Sequence, residues 1–162
     1  MTQPEVEHHT ARVNDVLLHY VIAGRGDPVV LLHGWPQTWY EWRKIIPALA
    51  ERYTVIAPDL RGLGDSSRPV TGYDKRTIAV DIYALVCHLG LAPIYLVGHD
   101  WGGPVAYAYA CAHPKDVRKL VILDVGIPGA GLEEALAFRP RNIWHIQFHY
   151  GSRSPRSAGY GA

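Results

Sequence analysis

The chain has 162 residues, 48% of them hydrophobic, and a formal net charge of +1 at pH 7. This length is sufficient for one domain with a substantial core, and the balanced charge excludes the basic surface of a nucleic-acid-binding protein. No apolar run is long enough to span a membrane, and the polar start at residues 1–7 lacks the apolar region of a signal peptide. We therefore expect a globular protein that binds neither nucleic acid nor membrane.

The two cysteines, Cys87 and Cys111, each lie within a helical pattern and have no partner at a suitable spacing. A disulfide or a structural zinc site would require such a partner. We therefore predict that both thiols are buried as small apolar side chains. Unpaired cysteines also predict a cytoplasmic, reducing location.

Short apolar or alternating segments alternate with helical patterns along most of the chain. Six segments are predicted to be strands: residues 6–13, 16–23, 29–32, 54–57, 94–97 and 120–123. The first two are joined by Asn14 and Asp15, a two-residue turn signal. Helical spacing covers 39–49, where Pro47 predicts a split, then residues 78–89, which Gly90 ends, and the segment after residue 100. A hairpin followed by strand–helix units predicts an α/β fold with a mostly parallel sheet.

The pattern changes after residue 125. Residues 126–150 contain two short helix candidates, whereas residues 151–162 have no periodicity and almost nothing to bury. We therefore expect a core over residues 1–125, a second region over residues 126–150, and a disordered tail over residues 151–162. A frameshift or an early stop in a longer gene would produce such a tail.

The strand at residues 94–97 is followed almost at once by a helix, with Asp100 at the apex of the turn. So abrupt a turn holds its apex residue in a strained conformation, and Gly98 and Gly102 leave room where a Cβ atom would clash. The helix after Asp100 directs its positive end at the carboxylate and favours its ionised form. Asp100 is therefore the candidate nucleophile, and the alternative is an aspartate that caps the helix.

Three motifs each follow a predicted strand: His-Gly-Trp-Pro at residues 33–36, Asp-Leu-Arg-Gly-Leu-Gly-Asp-Ser at residues 59–66, and Gly-His-Asp-Trp-Gly-Gly at residues 98–103. Together, and in this order, they resemble the α/β-hydrolase superfamily. Within it they are similar to the branch of epoxide hydrolases and haloalkane dehalogenases, whose nucleophile is an aspartate. The resemblance covers roughly residues 6–125 and implies the N-terminal portion of an α/β-hydrolase sheet of about six strands with flanking helices.

This resemblance implies that Asp100 attacks a saturated carbon of a small epoxide or alkyl halide and forms an alkyl-enzyme ester. A serine at this position would suit acyl transfer, so Asp100 argues against an ordinary esterase or lipase. The backbone N–H groups of Trp35 and Trp101 are the implied oxyanion hole, and the Trp101 indole is a candidate donor to a leaving halide. Simple packing is the alternative role of both tryptophan side chains. No metal or organic cofactor is implied.

Two further residues are candidates for a role in the reaction. Asp124 ends the next strand and is either the acid that orients a catalytic histidine or an ordinary turn aspartate. His145 resembles a histidine at the start of the lid that donates a hydrogen bond to the epoxide oxygen. His145 and His149 have a spacing that suits a metal, but no third ligand is in view.

Four motif residues complete the predicted site: His33, Gly34, Pro36 and His99. The two histidines are expected to make structural hydrogen bonds below the nucleophile. The resemblance also places the general-base histidine, a tyrosine-bearing lid and the last two strands beyond the segment that matches. We expect the 162-residue polypeptide to lack them, and therefore to alkylate Asp100 at most once and to retain the ester.

Two alternatives to epoxide hydrolysis remain at this point: haloalkane dehalogenation, and a non-catalytic fragment or binding module. The predicted strand at residues 120–123 is apolar on both faces although no later strand is predicted to cover it. An exposed apolar edge of this kind predicts self-association.

Overall fold

The computed structural model describes residues 6–127, which contain one six-stranded sheet. Its strands are β1 (Glu7–Val13), β2 (Val16–Ala23), β3 (Asp27–Leu32), β4 (Tyr53–Pro58), β5 (Ile94–His99) and β6 (Val117–Leu123). Their order across the sheet is β1-β2-β4-β3-β5-β6. Strands β3, β4, β5 and β6 pair in parallel, and β2 is antiparallel to both β1 and β4. The predicted mostly parallel sheet is confirmed.

Helices follow β3, β4 and β5, as the alternating pattern predicts. They are α1 (Ile46–Ala50), α2 (Lys75–Leu89) and α3 (Gly102–Ala112), with short 3-10 helices at Trp39–Lys44 and Pro114–Asp116. Gly90 ends α2 in the left-handed conformation, with φ of +66°. The predicted break within residues 39–49 is present, but it falls at Ile45, and Pro47 lies in the first turn of α1. Proline is tolerated there because the first N–H groups of a helix have no partner within it.

Both faces of the sheet are covered, because side chains along a strand point to alternate faces. On one face, Val30 and Leu32 belong to the apolar cluster that includes Ile82 of α2. On the other face, Leu31 packs in the cluster that includes Trp42. The continuous apolar run of β3 is therefore buried on both sides, as predicted, and it holds the loop after Leu32 at the middle of the sheet.

The prediction that both cysteines are buried is wrong. Cys87 and Cys111 are exposed free thiols. Cys87 lies two positions after Leu85, which is buried, and a helix turns about 100° per residue, so the two side chains point in nearly opposite directions. Cys111 likewise lies two positions after the buried Tyr109 on α3. Both cysteines lie in helices, as predicted, but each lies on the exposed face of its helix and not on the buried face.

Strand β6 is the last strand of the sheet in the described part of the chain. It begins at Val117, earlier than predicted, and pairs with β5. Val121 and Leu123 are 44% and 40% exposed. The predicted apolar edge is therefore present among residues 6–127.

No helix within residues 6–127 is both long enough and apolar enough to cross a membrane. The start of the lid region is predicted over residues 126–150. Residues 128–150, which include His145, and the predicted tail at residues 151–162 lie outside the described residues.

Candidate active site

Asp100 lies between β5 and α3, at the carboxyl end of a central strand. Its φ is +46°, a conformation that few residues other than glycine adopt. The backbone N–H of Asp100 donates to the Leu123 carbonyl at 3.1 Å, which fixes the turn against β6. The side chain is half-buried. The sharp strand-to-helix turn predicted from the sequence therefore presents a carboxylate at its apex.

The small residues of the turn are required by close backbone contacts. A Cβ atom on Gly98 would lie 2.3 Å from the Gly102 carbonyl oxygen, and one on Gly102 would lie 2.3 Å from the Leu32 carbonyl oxygen. Both distances are far shorter than van der Waals contact. Gly34 is equally constrained, since its Cβ atom would lie 2.6 Å from the Cβ of Asp100. The glycines thus allow the loop after β3 to approach the nucleophile turn.

That approach brings a backbone donor to the carboxylate. The N–H of Trp35 donates to Oδ1 of Asp100 at 2.8 Å. The donor follows β3, which pairs in parallel with β5 so that Leu32 is in register with Gly98. The peptide between Trp35 and Pro36 is cis. Of the site residues predicted from the sequence, Trp35 and Asp100 are thus in direct contact.

The indole rings of Trp35 and Trp101 lie side by side, with centroids 6.0 Å apart. Trp35 is 45% exposed and Trp101 is half-buried. Trp101 follows Asp100 directly in sequence, so both residues predicted to form the oxyanion hole lie next to the carboxylate.

His33 is fully buried beneath the loop and makes two hydrogen bonds. Its Nε2 accepts from the Leu60 N–H at 3.0 Å, and its Nδ1 therefore carries the proton that is donated to the Gly34 carbonyl at 2.7 Å. Burial lowers the pKa of His33 below its usual value of 6.5, although the Gly34 carbonyl, Asp59 and Glu41 favour the charged form. His33 is thus a neutral structural residue that ties two loops together.

His99 and Asp124 lie at the carboxyl ends of the neighbouring strands β5 and β6. Nδ1 of His99 lies 2.5 Å from Oε1 of Glu41, a short polar contact without ordinary hydrogen-bond geometry. The other oxygen of Glu41 accepts from the Gly34 N–H at 3.1 Å. Nε2 of His99 lies 4.0 Å from Oδ2 of Asp124, whose side chain is 92% exposed. The role of Asp124 as an orienting acid stays a prediction.

The carboxylate of Asp59 organises the second motif loop, a role that the sequence did not reveal. Its oxygens accept from the backbone N–H groups of Trp39 at 2.7 Å and Asp65 at 3.0 Å, and Oδ2 lies 2.8 Å from Nδ1 of His19. His19, Asp59 and Asp65 have donor atoms within 4.8 Å of one another, a geometry that could hold a metal ion. These hydrogen bonds already engage the Asp59 oxygens and His19 Nδ1.

Lys75 is a second residue that sequence reasoning missed. Its Nζ lies 3.3 Å from the centroid of the Trp101 ring. Burial lowers the pKa of Lys75 to about 8, against the charges of Asp100 and Asp74, which favour the ammonium form. Lys75 is the first residue of α2, far from Asp100 in sequence, and no local pattern connects the two.

The class of protein follows from this geometry and from comparison with known sequences. The profile of the α/β hydrolase fold family matches residues 27–142. The chain therefore belongs to the α/β-hydrolase fold family. The predicted fold is confirmed by this match and by the sheet order.

The most informative relatives are epoxide hydrolases and a dehalogenase. The chain is 60% identical over 125 residues to the soluble epoxide hydrolase of Corynebacterium sp. (strain C12), covering 77% of this chain and 43% of that protein. It is 39% identical over 147 residues to a fluoroacetate dehalogenase of Burkholderia sp, covering 88% and 48%. The solved structure of the epoxide hydrolase CorEH without ligand has 47% identity and a TM-score of 0.72 over 89% of this chain and 55% of that one.

The chain is thus epoxide hydrolase-like in sequence and fold, as the motifs predicted. It spans less than half the length of the two curated relatives.

Proposed function

We propose that this site hydrolyses epoxides through an ester on Asp100. The observation that carries the proposal is the 2.8 Å hydrogen bond from the Trp35 N–H to Oδ1 of the strained Asp100. The side chain of a helix cap accepts from an N–H group in the first turn of its own helix. Oδ1 of Asp100 instead accepts from the loop after β3, which favours a nucleophile over a helix cap. The 60% identity to a soluble epoxide hydrolase supports an epoxide as the substrate.

The hydrogen bond also supports different roles for the two carboxylate oxygens of Asp100. Because Oδ1 is held by Trp35, we expect Oδ2 to attack the epoxide carbon. The new bond joins Oδ2 to that carbon, the carbon–oxygen bond of the epoxide breaks, and the epoxide oxygen takes a proton from solvent water to become a hydroxyl group. Oδ1 then becomes the ester carbonyl oxygen and is already bonded to the donor that would stabilise an oxyanion.

Release of product is a separate step. Water must attack the ester carbonyl carbon, Cγ of Asp100, with the help of a general base. The bond between Cγ and Oδ2 then breaks, which gives the diol and restores the Asp100 carboxylate. We propose that the site built by residues 6–127 performs the alkylation step, and that the ester accumulates when hydrolysis is the slower step. In this proposal, Trp101 supplies the second oxyanion donor, and His145 donates a hydrogen bond to the epoxide oxygen during alkylation. Asp124 serves the hydrolysis step as the acid that orients the catalytic histidine.

Dehalogenation is the second candidate. Two observations favour it: the neighbouring indole rings of Trp35 and Trp101, and the 39% identity to a fluoroacetate dehalogenase. Indole N–H groups are suitable donors to a leaving halide. The same Asp100 ester would form, so this alternative changes the leaving group and not the nucleophile.

Intact-mass spectrometry after incubation with styrene oxide tests the proposal. Exposed thiols also react with epoxides, so the measurement uses a variant with Cys87→Ser and Cys111→Ser as its reference. We expect one substrate mass to be added to the reference chain and none to the same chain carrying Asp100→Asn. A parallel incubation with an alkyl bromide tests the dehalogenase alternative. If this alternative holds, an adduct on Asp100 forms and bromide is released with it.

Asp124→Asn is the matched control, because it removes a carboxylate from the end of the neighbouring strand. It should alkylate at the rate of the reference chain. Steady formation of diol without an adduct would contradict the proposal that hydrolysis of the ester is the slower step. Neither adduct nor diol would overturn the proposed activity of this polypeptide and favour a non-catalytic fragment.

The proposal includes a cytoplasmic location, which the two exposed free thiols support because such thiols persist in a reducing compartment. Cell fractionation followed by thiol labelling tests it. Recovery from the cytoplasmic fraction with both thiols labelled is expected, and recovery elsewhere or with oxidised thiols would contradict it.

A further inference from the structure

The ammonium group of Lys75 lies against the indole of the residue that follows the nucleophile. Its Nζ is 3.3 Å from the Trp101 ring centroid, within the range in which a cation is attracted to the face of an aromatic ring. The Lys75 side chain is half-buried, which strengthens such a contact by removing competing water. The contact joins the first residue of α2 to the turn that presents Asp100.

The position of Lys75 is unfavourable for the helix itself. It is the first residue of α2, where the helix dipole presents its positive end and repels a cation. Asp74 already caps this terminus by accepting from the Thr77 N–H at 3.0 Å. A cation at this position is therefore explained by its contacts outside the helix, with Trp101 and with the negative charge of Asp100.

The charge of Lys75 is sensitive to pH in an accessible range. Burial lowers its pKa to about 8, and the charged groups that act on it, Asp100 and Asp74, both favour the ammonium form. Lys75 is thus mainly charged at pH 7 and loses its charge slightly above that pH. A neutral amine has no cation–π attraction, so the contact with Trp101 should weaken as the proton is lost.

We propose that Lys75 is a positioning residue for alkylation of Asp100, because its ammonium group holds the Trp101 indole and, through it, the turn that carries the nucleophile. This inference rests on the proposed function. It assigns to α2 a role in the reaction that neither the family resemblance nor the motifs indicate. The alkylation rate should therefore depend on the charge at position 75.

The contact is tested first without reference to activity. The indole N–H resonance of Trp101, assigned by its loss in Trp101→Phe, is followed by NMR as a function of pH. In the wild-type chain we expect it to shift with a midpoint at about pH 8. Lys75→Met should remove this transition. Lys75→Arg should also remove it, because a guanidinium group stays charged throughout the range.

The positioning role is tested by the rate of styrene oxide adduct formation in the Cys87→Ser, Cys111→Ser chain. The reference rate should fall as the pH rises through the Lys75 transition. Lys75→Met should lower the rate at pH 7 about tenfold, in line with a partly desolvated cation–π contact, and give a flat profile. Lys75→Arg should retain most of the alkylation rate, and its rate should not fall as the pH rises. Arg76→Met, an exposed cation on the same helix, is the control and should match the reference.

Each outcome is decisive. If Lys75→Met alkylates at the reference rate, or if the reference profile has no transition, the positioning role is wrong while the proposed function stands. If the reference chain forms no adduct at any pH although the Trp101 resonance titrates, the proposed function itself is wrong and this inference falls with it.

Discussion

Two aspartates of this chain, Asp81 and Asp100, show how one side chain serves either the fold or a reaction. Asp81 is 0% exposed, and both of its oxygens accept from the Arg61 guanidinium, at 2.5 and 2.6 Å. Asn14 donates to the same carboxylate at 2.9 Å. Asp100 is half-buried, and its carboxylate accepts a hydrogen bond from the N–H of Trp35.

The difference lies in the backbone as well as in the hydrogen bonds. Asp81 lies in the middle of α2, in the ordinary helical conformation, whereas Asp100 has a φ of +46°. A carboxylate that is fully bonded inside a core contributes to stability and cannot react. A half-buried carboxylate on a strained turn remains able to attack.

Breaking the buried ion pair should have the largest effect on stability. Asp81→Asn leaves the Arg61 charge buried without a counter-charge, and we expect the free energy of unfolding to fall by about 3–5 kcal/mol. Urea denaturation followed by circular dichroism measures this change. Asp27→Asn is the control, because the Asp27–Arg118 pair is largely exposed and should cost less than about 1 kcal/mol. Equal losses in the two variants would contradict the distinction.

Replacing Asp100 should affect chemistry and leave stability nearly unchanged. Asp100→Gly removes the side-chain strain at φ of +46° but adds backbone freedom to the unfolded chain, so we expect stability within about 1 kcal/mol of the wild type. Adduct formation with styrene oxide should be abolished. A loss of stability as large as that of Asp81→Asn would mean that Asp100 is also a structural carboxylate.

His33 should make the chain less stable in mild acid. Its pKa is lowered by burial, so below pH 6.5 the unfolded state binds a proton that the folded state does not. The free energy of unfolding therefore decreases as the pH falls through 6.5. Denaturation at several pH values gives the dependence of the free energy of unfolding on pH. This dependence should be weaker in His33→Asn than in the wild type, because the contribution of His33 is missing. Identical slopes would show that His33 is not neutral in the fold.

The edge at β6 should control self-association of the 162-residue polypeptide. Val121 is 44% exposed on this strand, and a lysine there is expected to oppose pairing between edges. Size-exclusion chromatography with light scattering should detect association of the wild type and its reduction by Val121→Lys. Val70→Lys, at a loop residue that is 97% exposed, should leave association unchanged. A monomeric wild type would exclude this edge as an interface.

The sequence was sufficient for the parts of the site that depend on short segments. The turn around Asp100 was predictable because Gly98 and Gly102 flank it and an apolar strand precedes it. The order of strands and helices was predictable for the same reason, since period and turn signals are local. Trp35 was predicted as a donor only through the family resemblance, because its contact with Asp100 joins two separate loops.

The remaining features arise from tertiary packing. No local pattern indicates that Arg61 pairs with Asp81, because each residue alone would be ordinary on a surface. The contact between Lys75 and Trp101 likewise depends on how α2 packs against α3, which begins directly after Trp101. Cys87 was assigned to the wrong face because two positions on a helix are enough to exchange the buried side for the exposed side.

The central claim is that Asp100 forms an ester with the substrate. Tandem mass spectrometry of the styrene oxide-treated chain, with its cysteines retained, locates the added mass, and hydroxylamine treatment distinguishes an ester from a thioether. We predict that the adduct lies on the peptide that contains Asp100 and that hydroxylamine releases this adduct. Adducts confined to Cys87 and Cys111, stable to hydroxylamine and accompanied by unmodified Asp100, would contradict the claim.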